Sequence, residues 1–218
     1  MRRATSALNE APNMRDEILE AATRRFAAHG FDGVSLQDIA DDVAIKKPSL
    51  LYHFASKEQL REEVIASLLE HWGSVLPRIM SSAMGERRRL DALMHEVLAY
   101  FAIAPHRARL LLREMLDRPS ELKKRLGQSL GPWLALLADY IRRGQADGSV
   151  QPDLDPEAYL SHVVTAVLAS IALGDVATIY APRQGRERAM ERAMERHLSE
   201  LVRLAKTSLF THPGAQRG

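Results

Sequence analysis

Cysteine is absent from this 218-residue chain, which excludes disulfides, thiolate nucleophiles and the Cys-based zinc and iron–sulfur sites, and agrees with a reducing cytoplasm. Long apolar runs are absent too. The longest, Val163 to Gly174, is interrupted by Thr165 and Ser170 and is too short to span a bilayer, and no apolar signal segment follows Arg2 and Arg3. A soluble intracellular protein without a membrane partner is expected. Catalytic motifs are equally scarce. His95-Glu96 begins an HExxH pattern, but Ala99 occupies the second ligand position. Ser120 and Lys123 form an SxxK with no SDN or KTG to accompany it, and there is no GxSxG, P-loop or GxGxxG. The eight histidines show no ligand-like pairing, so no metal and no cofactor are expected, and the chain does not read as an enzyme.

What is present is helical periodicity from Met14 to about residue 210, in a chain with 46% hydrophobic and 27% charged residues. The most informative stretch is SLQDIADDVAIKKPSLLYHFASK, residues 35 to 57. Ser35 can cap a helix with Asp38 as its third residue, and Leu36, Ile39 and Ala40 then share one face. Val43 and Ile45 bracket a turn, Lys47 and Pro48 open a second helix, and Leu50 and Phe54 return to the interior four residues apart. With those two inside, Pro48, Ser49 and Tyr52 point outward. From Val43 to Lys57 there are three lysines and no acid, so the partner this face suits is a phosphate backbone, with Ser49 and Tyr52 near base edges. This is a helix-turn-helix, and double-stranded DNA is its expected partner. The charge argument is local, because residues 1 to 60 hold eight Lys or Arg against nine Asp or Glu, a net of −1. Glu17, Glu20, Asp41 and Asp42 must then lie away from the phosphates, and a shallow salt dependence is expected.

The run from Phe26 to Lys57 resembles the N-terminal DNA-binding domain of the TetR family of transcriptional regulators. FAAHGFDGVSLQDIA corresponds to the end of the first helix and to the second, IKKPSLLYHF to the turn and recognition helix, and SKEQL to the start of the fourth. The likeness covers roughly residues 14 to 65. Three positions depart from the family pattern. Ala44 stands where Gly is usual, at a cost of about 1–2 kcal/mol if the backbone there is left-handed. Lys46 replaces the usual Ser or Thr cap, and Leu51 replaces a common phosphate-touching aromatic, a contact then lost or moved to Tyr52.

The chain divides into a leader, 1–12, a helix-turn-helix domain, 13–58, a larger helical domain, 59–210, and a tail, 211–218 that frays. The leader reads as disordered or as a DNA-contacting arm carrying Arg2 and Arg3. About nine helices are expected. The first runs from Met14 to His29, capped by Asn13 and followed by Gly30. A fourth begins at Ser56 and carries Leu60, Val64, Ile65, Leu68 and Leu69 toward Trp72, with a break or kink between Gly73 and Pro77. Helices are expected over 87–103 and from Pro105 to before Pro119. Residues 120–144 read as one helix kinked at Gly131 and Pro132, with Leu122, Leu126, Leu130, Trp133, Leu134, Leu137 and Ile141 inward. The segment from Pro156 to about Tyr180 is apolar on most sides and reads as buried all round. A last helix repeats AMER at 189–192 and 193–196. Two such terminal helices suit a four-helix interface with a second copy.

The resemblance implies an all-α, homodimeric regulator in the cytoplasm, associated with the nucleoid, most often a repressor. It also implies a small, often hydrophobic effector among helices four to eight. Trp72, Met115 and Trp133 are the candidates to contact it, the alternative for each being ordinary core packing. Gln37, Lys47, Ser49 and Tyr52, beside Pro48, are the candidates for base readout, and Lys46, His53 and Lys57 for phosphate. A competing expectation is a DNA-binding dimer that works through a protein partner with no small-molecule switch.

Overall fold

The computed structural model describes residues 13–82, 85–174 and 186–211. Ten helices occupy them: α1 Met14–His29, α2 Leu36–Asp42, α3 Lys47–His53, α4 Lys57–Met80, α5 Glu86–Ile103, α6 Pro105–Asp117, α7 Pro119–Ser129, α8 Gly131–Ala146, α9 Pro156–Ala172 and α10 Arg186–Leu209. The one β feature among the described residues is an isolated antiparallel bridge between Val150 and Phe210. The leader, the segment around Tyr180 and the tail beyond Thr211 lie outside the described residues. The chain resolves into two compact units, 1–68 and 69–218, with α4 running through the boundary.

In the first unit the helix ends are fixed by local chemistry. Asn13 Oδ1 accepts a hydrogen bond from Asp16 N at 3.0 Å to start α1, and Gly30, at φ 75°, ends it by donating to the Phe26 carbonyl. Ser35 and Asp38 form a reciprocal capping box on α2. At the start of α4, Ser56 Oγ accepts from Gln59 N at 3.0 Å, while Gln59 Oε1 accepts from Ala55 N at 2.8 Å, one residue ahead of the cap. Ile18, Ala22 and Phe26 of α1, Ile39 and Ala40 of α2, Leu50 of α3, Phe54, and Leu60 and Val64 of α4 are sealed from solvent and form the core.

The second unit is built on α6 and α9, which bury Ala108, Leu110, Leu111, Val167, Leu168 and Ile171, with α8 and α10 also packed against α9. A second cluster joins Ile141, Val150, Tyr159, Leu209 and Phe210. The Tyr159 hydroxyl donates to the Ala205 carbonyl at 2.9 Å, and burial pushes it up to about 12. Gln145 Nε2 donates to the carbonyls of Gln151, Pro152 and Leu154, which ties down the loop between α8 and α9.

Four expectations are corrected. First, α4 is not broken between Gly73 and Pro77; it continues to Met80 because Val75, Leu76 and Ile79 are buried there, and that packing outweighs the one hydrogen bond that Pro77 removes. Second, residues 120–144 are not one kinked helix. The helix stops at Ser129 and restarts at Gly131, with Pro132 in the first turn of α8, which makes ten helices among the described residues. Third, Leu134 is exposed although it shares one face of α8 with buried Ala138 and Ile141, four and seven residues on, because the packing that covers this face begins only at Ala138. Fourth, within a single protomer α9 is not buried all round: Val164 is 41% exposed and, just past its end, Leu173 is 57% exposed.

Candidate nucleic-acid interface

The α3 helix is seven residues long and is held by Leu50, with Phe54 just past its end, both at 0% exposure. That four-residue spacing turns the opposite side outward. Pro48, Ser49 and Leu51 are exposed, and Tyr52 is 88% exposed, a large amount for an aromatic with no interior task. His53 is half-buried and meets the Tyr52 ring edge-on, the centroids 5.6 Å apart. Lys46 takes the cap position in extended backbone without a side-chain cap bond, and Lys46 and Lys47 are both exposed. Ala44, in the turn, is left-handed at φ 55°, the strained geometry its place in the sequence implied.

Gln37 is exposed on α2 and donates from Nε2 to Asp41 Oδ1 at 2.7 Å, which fixes the side of the amide that remains for another partner. Lys57, the first residue of α4, is half-buried with its ammonium 4.3 Å from the centroid of the Phe31 ring.

Five acids of this unit are engaged within the protein, Gln37 donating to Asp41 and the other four held as follows. Asp42 is gripped by Arg25, whose hydrogen bonds hold its carboxyl below the usual range. Asp38 is held low by its hydrogen bonds from Ser35. Glu63 pairs with Arg15 at 2.9 Å and Glu20 with Arg24 at 3.6 Å. The contributions of Arg25, Phe31 and Asp41 were not found by sequence reasoning. Gln37 and Asp41 stand four apart on one helix and could have been, whereas Arg25–Asp42 and Phe31–Lys57 join separate elements.

The three effector candidates are placed differently. Trp72 is buried in an aromatic cluster with His71, Tyr100 and Phe101, at 5.0, 5.2 and 6.0 Å between centroids. Met115 and Trp133 are half-buried. None of the three lines either of two cavities in the second unit. One is an apolar space of about 60 Å³ between α5, α8, α9 and α10, near Leu93, Ile141 and Phe210. The other is an open groove of about 640 Å³ along α9 and α10. Among the described residues no group of three or more His, Asp or Glu could hold a metal ion, and no helix is long and apolar enough to cross a membrane.

Residues 18–64 match the family model for bacterial regulatory proteins of the tetR family, and residues 87–196 match the tetracyclin repressor-like C-terminal domain. The chain belongs to the TetR family. It is 31% identical over 155 residues to the HTH-type transcriptional repressor KstR2 of Mycolicibacterium smegmatis, covering 67% of this chain and 72% of that protein. It is 29% identical over 133 residues to the icaADBC negative regulator IcaR of Staphylococcus aureus, covering 58% and 70%. The structure of the ketosteroid regulator KstR2 of Mycobacterium tuberculosis superposes with a TM-score of 0.67 over 93% of this chain and 98% of that one, at 21% identity. A regulator from Saccharomonospora viridis in complex with choline gives a TM-score of 0.65 at 18% identity, over 91% and 98%. TetR-family proteins are regulators that bind operator DNA and function as dimers, so this chain is a DNA-binding transcriptional regulator and not an enzyme.

Proposed function

We propose that this TetR-family protein is a ligand-responsive repressor in the cytoplasm, on the nucleoid, released from a near-palindromic operator by a small, hydrophobic effector. The observation that carries the DNA half of this reading is the outward face of α3, where Ser49 and Tyr52 stand exposed beside Lys46 and Lys47 on a helix anchored by Leu50 and Phe54. In this reading Gln37, Lys47, Ser49 and Tyr52 read base edges next to Pro48, and Lys46, His53 and Lys57 meet phosphates. Residues 13–58 then form the DNA-binding domain and 59–210 the effector-binding and dimerisation domain. A second copy covers the apolar face left on α9 and α10 by Val164, Leu173 and Leu204, the last 51% exposed. The dimer presents two α3 helices to successive major grooves.

The switch is a population shift. An effector that prefers one conformer of the larger domain acts on α3 through α4, a helix uninterrupted from Lys57 to Met80, and it acts only to the extent that its affinity differs between the two conformers. The ketosteroid regulator and the choline complex among the related structures favour a small organic effector here as well. A second reading, a DNA-binding dimer that works through a protein partner, is favoured by the small size of the 60 Å³ cavity.

The test is an anisotropy titration of the full chain against DNA flanking its own coding region, at several salt concentrations, repeated with a panel of small hydrophobic compounds. Saturable, palindrome-dependent binding that one compound weakens is expected. Binding that no compound alters, with a protein captured on the operator complex, would replace the effector by a protein partner.

A further inference from the structure

We infer that Phe31 is a positioning residue for DNA binding: its ring holds the Lys57 ammonium in place for a phosphate. The inference rests on the reading that Lys57 meets the DNA backbone. Phe31 follows Gly30, whose left-handed φ of 75° turns the chain out of α1, and its ring packs against Phe26 with centroids 5.6 Å apart. Two cations one turn apart on α4 approach this ring. Lys57 Nζ lies 4.3 Å from the centroid and Arg61 Cζ 5.8 Å from it. Their burial separates their tasks. Arg61 is only 5% exposed and belongs to the packing of the unit, whereas Lys57 is half-buried and opens to solvent.

A lysine carries three ammonium donors on a flexible four-carbon stem, and an exposed one must lose that freedom when it binds an anion. Over the Phe31 ring, Lys57 has surrendered much of it beforehand. The ring attracts the ammonium from one side through its quadrupole and leaves the donors pointing elsewhere for an oxyanion. The stem is further fixed at its root, because Lys57 opens α4 directly after the Ser56 cap, and only residues 54–56 separate it from the end of α3. A sequence motif would not report this, since the aromatic residue lies in the turn after α1 and the cation begins α4.

The experiment is a double-mutant cycle on the full chain, using a duplex recovered by in vitro selection from a randomised library. Phe31→Leu is expected to weaken binding about 5- to 30-fold, the size of two exposed cation–π contacts per dimer, while Phe31→Tyr stays close to wild type. In a Lys57→Met background the Phe31→Leu loss should disappear, and Lys57→Met alone should lower the salt slope by about 1.8, one phosphate contact being lost from each protomer of the dimer. An equal Phe31→Leu loss in both backgrounds, or a Tyr variant as weak as the Leu variant, overturns the positioning role while leaving the phosphate contact standing. An unchanged salt slope in Lys57→Met rejects the phosphate contact itself. Should Phe31→Leu fail to fold, pentafluorophenylalanine at position 31 keeps the shape but reverses the ring quadrupole. It is expected to reproduce the loss, and wild-type affinity with it would overturn the proposal.

Discussion

Arg25, on α1, grips Asp42, at the end of α2, with two parallel hydrogen bonds: Nε to Oδ2 at 2.7 Å and Nη2 to Oδ1 at 2.6 Å. A carboxylate at a helix C-terminus opposes the helix dipole, and the guanidinium compensates for that. Because Arg25 holds the Asp42 carboxyl below its ordinary value, the pair contributes stability that is present above the unfolded-state pKa, about 4, and lost as pH falls through the lower folded-state value. Asp42→Asn is therefore expected to be less stable than wild type at pH 7, with the gap narrowing below about pH 4. Urea unfolding at the two pH values checks this; a gap independent of pH would show that the charge is not what matters.

Ala44 holds a φ of 55° with a side chain that favours another region. Replacing it by glycine relieves that strain at some cost in unfolded-state entropy, and Ala44→Gly is expected to stabilise the protein by about 0.5–1 kcal/mol. The urea midpoint should rise with the slope unchanged. A lower midpoint would mean that the surrounding turn relaxes the alanine.

Lys46→Ser should separate stability from DNA binding. A serine at this cap can accept from the Ser49 N–H, which the lysine side chain does not do, and about 1 kcal/mol of stability is expected from it. The same change removes a cation from the proposed phosphate set, so operator affinity should fall as the melting temperature rises. Both quantities moving in the same direction would contradict one of the two roles.

Ser49→Ala should alter preference at one base pair of each half-site, whereas Lys57→Ala should weaken binding to all sequences alike and reduce the salt slope by about 2, one contact per protomer. Selection from a randomised duplex library with each variant distinguishes the two. If both variants lowered affinity uniformly, readout by Ser49 would be rejected.

The first unit was largely legible because its signals are local. The Asn13 cap, the Ser35–Asp38 box, Gly30 after α1 and the Leu50–Phe54 pair all depend on residues at most four apart, and the structure has each of them. The second unit was less so. Gly73 and Pro77 weaken a helix locally, yet buried Val75, Leu76 and Ile79 carry α4 through them, and no spacing along α4 states what those side chains will meet. Leu134 is in phase with buried Ala138 and Ile141, so the period marks the right face of α8, but how far along that face the packing extends is set by the neighbouring helices and no spacing states it.

By itself, the sequence determined that this protein is helical, that residues 35 to 57 form a helix-turn-helix, and that Ser49 and Tyr52 face away from its core, because capping and the 3.6-residue period act over a few neighbouring positions. Only the tertiary structure decided where the acids go and which cations they leave exposed. The grip of Arg25 on Asp42 and the seat of Lys57 on Phe31 join residues 17 and 26 positions apart, and such contacts exist only once α1, α2 and α4 have packed on a shared core.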